Sequence, residues 1–271
     1  MFSTSRFKSI VALIGGLFLL LAFTGVASAN HSWGNYHWAR TANPFTLKLG
    51  DNVGATWDTY LGTASSDWSL SYVLDTVIVP GLVNPKVCKS TPGRTEVCNS
   101  KYGNNGWLGL AQIWVNGDHI TAGVTKLNDT YFNTTKYDTP AWRQLVVCQE
   151  IGHTFGLAHQ DEIFTNQNLG TCMDYTNDPA SNQHPNQHDY DELEAIYAHL
   201  DTTTTLGQTT LSARGQSSTV GADSDNFEDV SEWGTAIRRG GDGRDSLYER
   251  DLGHGKKVFT FVIWAHENSD K

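Results

Sequence analysis

The sequence has no run of basic residues and only one long apolar segment. Its 19 Lys and Arg side chains are outnumbered by 29 Asp and Glu, which gives a formal net charge of -10. An acidic chain without a cluster of basic residues is poorly suited to bind nucleic acid or an anionic membrane. Beyond residue 23 no segment is apolar enough to span a bilayer, and no internal repeat is visible. The hydrophobic content of 39% is ordinary and supports a core of normal size.

The one apolar segment lies at the N-terminus. Arg6 and Lys8 precede the apolar run 10–23, and Ala27-Ser28-Ala29 follows as a small-x-small cleavage pattern. This order predicts a secretory signal peptide over residues 1–29. The alternative is a membrane anchor, but the run is shorter than the about 20 residues that a spanning helix needs. We therefore expect a secreted, extracellular protein with no stable membrane association after signal cleavage.

Cysteine is scarce, with four residues in 271. An even number in an exported chain indicates two disulfides, and the sequence permits three pairings. We favour a local bond across the loop that contains Pro92-Gly93, which leaves the other two cysteines to pair. The expected bonds are Cys88–Cys98 and Cys148–Cys172.

The composition divides the chain into a domain and a tail. Residues 30–201 have the dense, varied composition of one domain. Residues 202–225 are rich in Thr, Ser, Gly and Asp and predict a flexible linker. The tail, 226–271, contains an alternating segment, 257–264, that predicts a strand. Within the domain, 107–115 and 120–127 predict a hairpin about Asn116-Gly117-Asp118.

The second half of the domain predicts two helices. Thr139-Pro140 is typical of a helix start, and this helix is expected to run to about Phe155. Another helix is expected over 189–199. The region between them is irregular and rich in Gly, Asn, Asp and Pro.

A group of polar residues at the end of the first of these helices carries the chemistry. Gln149 and His153 are four positions apart and share a helix face, with Glu150 beside them. Gly156 can adopt a left-handed conformation that turns the chain and returns His159 towards His153. Two imidazoles, an amide oxygen and a carboxylate then converge. This is an open three-ligand metal site with a base next to it, as hydrolytic zinc requires.

The segment Gln149–Asp161 resembles the metzincin signature H-E-x-x-H-x-x-G-x-x-H, with Gln149 in place of the first His. Downstream, Cys172-Met173-Asp174-Tyr175 resembles the Met-turn that lies under the zinc in that clan. The resemblance covers residues 31–201, most closely 141–200. It implies an α+β fold with a mixed twisted sheet, a zinc-site helix, a Met-turn containing Met173 and a C-terminal helix, followed by the linker and tail. It also implies that Cys148 and Cys172 are brought together as the Met-turn passes beneath the helix.

The substitution at position 149 leaves three outcomes open. In the first, Gln149 binds zinc as a harder and weaker donor than imidazole. In the second, Gln149 does not bind zinc, and water or Asp161 completes the coordination shell. In the third, activity has been lost. The retained Glu150 favours an active site. For Asp161 we prefer a role as the acceptor that orients His159. Three other histidines are interpreted without a metal: His119 as a turn residue, and His184 and His188 as surface or capping residues.

The function implied by the resemblance is hydrolysis of peptide bonds by a secreted zinc metalloendopeptidase. His153, His159 and Gln149 would hold Zn²⁺, and Glu150 would act as general base. The partner would be an extended peptide or protein substrate added to an edge strand, for which we expect 108–115. One rival function is a binding protein on a weakened or inactive metzincin scaffold. A second is a structural, cell-surface protein that acts through its Thr/Ser-rich linker and its tail.

Overall fold

A computed structural model of the chain describes residues 31–207 and 227–265. The predicted signal peptide and residues 208–225 of the predicted linker lie outside the described residues. Among the described helices none is both long and apolar enough to cross a bilayer.

The described strands form one mixed, nine-stranded sheet. Its order is β3-β2-β4-β6-β5-β9-β8-β7, and β1 pairs with the start of β6. The strands β3, β2, β4 and β6 are mutually parallel, whereas β6, β5, β9, β8 and β7 alternate in direction. The bounds are β1 His37–Trp38, β2 Phe45–Asn52, β3 Leu74–Pro80, β4 Thr95–Ser100, β5 Trp107–Asn116, β6 His119–Asn128, β7 Thr235–Arg239, β8 Asp245–Gly253 and β9 Lys256–Trp264. With few helices beside this sheet, the fold is α+β.

In the described part of the chain, four α-helices accompany the sheet: α1 Asp58–Trp68, α2 Asp129–Phe132, α3 Pro140–His153 and α4 Gln187–Ile196. The start predicted for α3 is confirmed, since the Thr139 side chain accepts a hydrogen bond from Trp142 N and Pro140 is the first helical residue. The second predicted helix, α4, begins two residues earlier than expected. Asn186 caps it, and Asp189 closes a capping box.

Alternate residues of β9 enter two apolar clusters, as the period of a strand requires. Phe259 and Phe261 join the main core, which contains α3. Val258 and Val262 face the opposite side and pack in a smaller cluster with Trp233. The C-terminal segment is therefore part of the sheet and of both clusters.

The strand expected to form a free edge does not do so. The predicted substrate strand, 108–115, lies within β5, which is hydrogen-bonded to β6 on one side and to β9 on the other. The hairpin prediction for β5 and β6 is confirmed, with the turn at Gly117. The prediction that 108–115 is an edge strand was wrong. The local sequence of β5 does not indicate that it pairs with a strand more than a hundred residues away.

The first residues of the predicted linker are attached to the domain. Thr205 N donates to Ala39 O at 3.0 Å, and Gly207 N donates to Gly93 O at 2.7 Å. These backbone bonds hold the chain against the β1 region and the loop before β4 up to residue 207.

Candidate metal centre

The C-terminal end of α3 and the turn after it bring His153 and His159 together. Gly156 has a φ of 102°, and a Cβ there would lie 2.5 Å from Tyr36 O, so only glycine fits this left-handed turn. The chain then reverses. The Nε2 atoms of His153 and His159 lie 2.9 Å apart, with the two rings perpendicular.

Hydrogen bonds fix the tautomer of both imidazoles. His153 Nδ1 lies 2.8 Å from Leu157 O, and His159 Nδ1 lies 2.8 Å from Glu162 Oε1. Both partners are acceptors only, so each Nδ1 carries the proton. Each Nε2 then presents a lone pair to the other. Two lone pairs at this distance repel unless a proton or a cation lies between them.

The acceptor that orients His159 is Glu162 and not Asp161. Asp161 Oδ1 instead accepts from Ile163 N at 2.6 Å, within its own loop. Burial would raise the pKa of Glu162, but hydrogen bonds from His159 and Ser246 and the nearby charges lower it below its ordinary value. Glu162 is therefore ionised and holds the His159 ring by a charge-assisted bond.

Gln149 and Glu150 are completely buried on α3. Gln149 Nε2 donates to Cys172 O at 2.8 Å, which leaves Gln149 Oε1 without a hydrogen-bond partner among the described residues. Both carboxylate oxygens of Glu150 also lack such a partner. Burial raises the pKa of Glu150 well above its ordinary value. Three buried oxygens without a hydrogen-bond partner near one end of a helix destabilise the folded state unless a cation or water binds them.

A glycine in β5 lets the sheet approach this carboxylate. A Cβ at Gly109 would lie 3.2 Å from Glu150 Oε1 and 2.5 Å from Val146 Cγ1. Any larger residue would push β5 away from α3. β5 thus packs directly against the side chains of Val146 and Glu150.

The Cys172–Tyr175 segment packs against α3 from another side. A Cβ at Gly152 would lie 2.7 Å from Met173 Sδ, so this sulfur touches the helix backbone. A disulfide joins Cys148 to Cys172, and a second one joins Cys88 to Cys98, as expected from the sequence. The Tyr175 ring lies 4.3 Å from that of His159 between centroids.

The C-terminal strands cover the centre. The Phe261 ring stacks on His153 with centroids 4.0 Å apart and planes at 10°. Tyr175 Oη donates to Val262 O at 3.0 Å, and Ser246 Oγ donates to Glu162 Oε2 at 2.9 Å. Each of these contacts joins the metal-centre region to β8 or β9. Both histidines are buried, with His153 fully enclosed.

The other three histidines considered in the sequence, His119, His184 and His188, contact groups outside the candidate centre. His184 Nδ1 lies 2.7 Å from Asp67 Oδ2, and the His188 ring stacks on His31 at 4.8 Å. His119 is not a turn residue as predicted. It begins β6, and its Nε2 lies 3.2 Å from Asp201 Oδ1.

The structure brings together the two histidines predicted from the sequence, His153 and His159. Three residues around them were not predicted: Glu162, Tyr175 and Phe261. Glu162 could have been considered as the acceptor for His159 from the sequence, since it directly follows Asp161, the residue predicted for that role. Phe261 had none, because its contact depends on the pairing of β9 with β5. The chain matches no protein-family model, and comparison with curated proteins found no significant relative.

Proposed function

We propose that this protein is a zinc-dependent endopeptidase of the metzincin kind, closed by its own C-terminal strand. The observation that carries the proposal is the close approach of the Nε2 atoms of His153 and His159, which lie 2.9 Å apart. In a tetrahedral zinc site with bond lengths near 2.05 Å, neighbouring donors are separated by about 3.3 Å. A small movement of either ring would accommodate the ion.

The donor set suits zinc. His153 and His159 would supply imidazole nitrogens, and the free Oε1 of Gln149 would supply the third donor. Nitrogen donors with one amide oxygen favour zinc over magnesium or calcium, which prefer oxygen alone. Because the amide is a weaker donor than imidazole, we expect weaker zinc binding than in a three-histidine site.

The catalytic role falls to Glu150. Zinc held at this centre would polarise the scissile carbonyl and lower the pKa of water at the site. Glu150 would accept the proton of that water and pass it to the leaving amine. Its two oxygens are available for this task, since no other described group engages them.

The substrate class follows from β5. This strand lines the centre at Gly109, and an extended peptide could pair with it by main-chain hydrogen bonds. β9 already occupies that position, antiparallel to β5 from Trp107 to Asn116. The described conformation is thus a closed one, and the full chain is expected to cleave peptides slowly. Two disulfides are compatible with the extracellular location that the sequence suggests.

The alternative is an inactive binding protein on the same scaffold. The complete burial of Glu150 and the replacement at position 149 favour it. Zinc binding without any cleavage, in the full chain and in variants that uncover the site, would support this second function.

The test compares wild type with Glu150→Gln and His153→Ala. Zinc content is measured by elemental analysis and activity with a peptide library. Glu150→Gln should keep its zinc and lose roughly 100- to 10,000-fold in cleavage rate, the usual contribution of a general base. His153→Ala should hold one zinc ion fewer than wild type. Equal cleavage by wild type and Glu150→Gln would remove Glu150 from the mechanism.

A further inference from the structure

A second group of histidines lies apart from the candidate metal centre. It combines His37 on β1, His119 at the start of β6, and His199 and Asp201 after α4. In register, His37 and His119 are direct partners of the β1–β6 pairing. Each of the three imidazoles directs its Nε2 towards Asp201 Oδ1, at 3.4, 3.2 and 3.8 Å respectively.

The distances among three of these residues, His37, His199 and Asp201, match the edges of a small coordination polyhedron. The donor atoms of His37, His199 and Asp201 all lie within 4.8 Å of one another. His37 Nε2 and His199 Nε2 are 3.1 Å apart. Zinc–ligand bonds of 2.0–2.2 Å in a tetrahedron place neighbouring donors about 3.3 Å apart. The observed separations therefore need little adjustment to receive one ion.

Outer contacts orient two of the donors. His37 Nδ1 lies 2.7 Å from Asn35 O, so it carries the proton and leaves Nε2 as a lone pair. Asp201 Oδ2 accepts from Arg40 N at 3.1 Å and from the Arg40 guanidinium at 3.0 Å. Arg40 thereby holds the Asp201 carboxylate in place, and Oδ1 faces the imidazoles. Metal-ligating side chains in proteins are commonly held by such contacts.

We propose that His37, His199 and Asp201 hold a second zinc ion. His119 lies outside this group of three but contacts Asp201 Oδ1 through its Nε2, and a movement of its side chain would make it the fourth donor. A site with four protein donors is closed and structural rather than hydrolytic. It ties β1 and β6 to the chain that leaves α4. Zinc there would stabilise the end of the domain, because a ligand that binds only the folded state shifts the unfolding equilibrium.

The proposal is tested with zinc alone on the full chain. Zinc is titrated into metal-free wild type, His199→Asn, His119→Asn and the double variant His153→Ala/His159→Ala. Side chains 119 and 199 are 38% and 55% exposed, so Asn at either position should fold. His184→Asn is the matched control, since His184 is also exposed and also pairs with an aspartate.

The expected result is two zinc ions in wild type and in His184→Asn. The double variant should keep one ion, and adding His199→Asn to it should remove that ion. Zinc should raise the melting temperature of the double variant, and His199→Asn should abolish the increase. Cobalt bound to the double variant should give the visible bands of a four-coordinate site, which His199→Asn and His119→Asn should alter.

The possible failures are distinct. A zinc count that falls only with His153→Ala, and never with His199→Asn or His119→Asn, overturns the second site and leaves the protease proposal standing. A count that falls only with His199→Asn supports the second site and removes the protease centre.

Discussion

At the residue scale, a helix and a left-handed turn bring His153 and His159 together, whereas the side chain that orients His159 lies in an irregular loop. The spacing of His153, Gly156 and His159 fixed which imidazoles meet, because one helix and one left-handed turn determine their geometry. The partner of His159 depends on the path of an irregular loop. In that loop the side chain of Glu162 reaches the ring and that of Asp161 bonds back to Ile163 N. Side-chain direction outside regular structure is not encoded by spacing.

This difference predicts unequal effects of two similar substitutions. Glu162→Gln removes the charge that strengthens the bond to His159 Nδ1 but keeps an acceptor. We expect zinc affinity to fall about tenfold, the lower end for loss of such a contact. Asp161→Asn should change the affinity little. Competition with a chromophoric chelator measures both, and a larger effect from Asp161→Asn would return the orienting role to that residue.

At the element scale, helix starts and the hairpin could be predicted because their signals are local. Thr139-Pro140 and Asn116-Gly117 act through the backbone of neighbouring residues. Whether β5 is an edge strand or a central strand could not be predicted. Its apolar, β-rich sequence suits an edge strand covered by substrate as well as a central strand covered by β9. Sheet neighbours are a property of the whole chain.

The two disulfides offer a prediction about how one element supports the site. Their loops span sequence separations of 24 and 10 residues. Loop entropy gives stabilisations of roughly 3.5 kcal/mol for Cys148–Cys172 and roughly 2.7 kcal/mol for Cys88–Cys98. Replacing either pair by alanine should lower the unfolding free energy by comparable amounts in denaturant titrations.

Only one of the two pairs should affect the metal. Cys148 precedes Gln149 on α3, and the carbonyl of Cys172 holds the Gln149 amide. Cys148→Ala/Cys172→Ala should therefore weaken zinc binding at the centre, whereas Cys88→Ala/Cys98→Ala should leave it unchanged. Equal zinc affinity in both variants would mean that the Gln149 amide is placed without help from the disulfide.

At the scale of the whole molecule, the C-terminal segment couples the sheet to the candidate centre. β9 contributes Phe259, Phe261 and Ile263 to the same core as α3. Under the proposed function, a peptide could pair with β5 only after β9 leaves it. The active fraction of the full chain would then equal the fraction in which β9 has opened, and each 1.4 kcal/mol of opening free energy would lower activity tenfold.

Phe261→Ala tests this coupling. Truncating a buried Phe lowers the unfolding free energy by roughly 3–5 kcal/mol. If 1.4 kcal/mol of this loss acts on the opening of β9, the open fraction rises about tenfold. We expect peptide cleavage and the rate at which a chelator removes zinc from the centre to increase together, by at least about tenfold.

Phe132→Ala is the matched control, because Phe132 is equally buried in the main core but lies on α2 and packs on Trp57. It should lower global stability without changing either rate. If zinc leaves Phe261→Ala faster but cleavage stays at the wild-type level, β9 covers the metal without limiting activity. If neither rate changes, the C-terminal strand is a permanent part of the sheet, and substrate must approach the centre by another route.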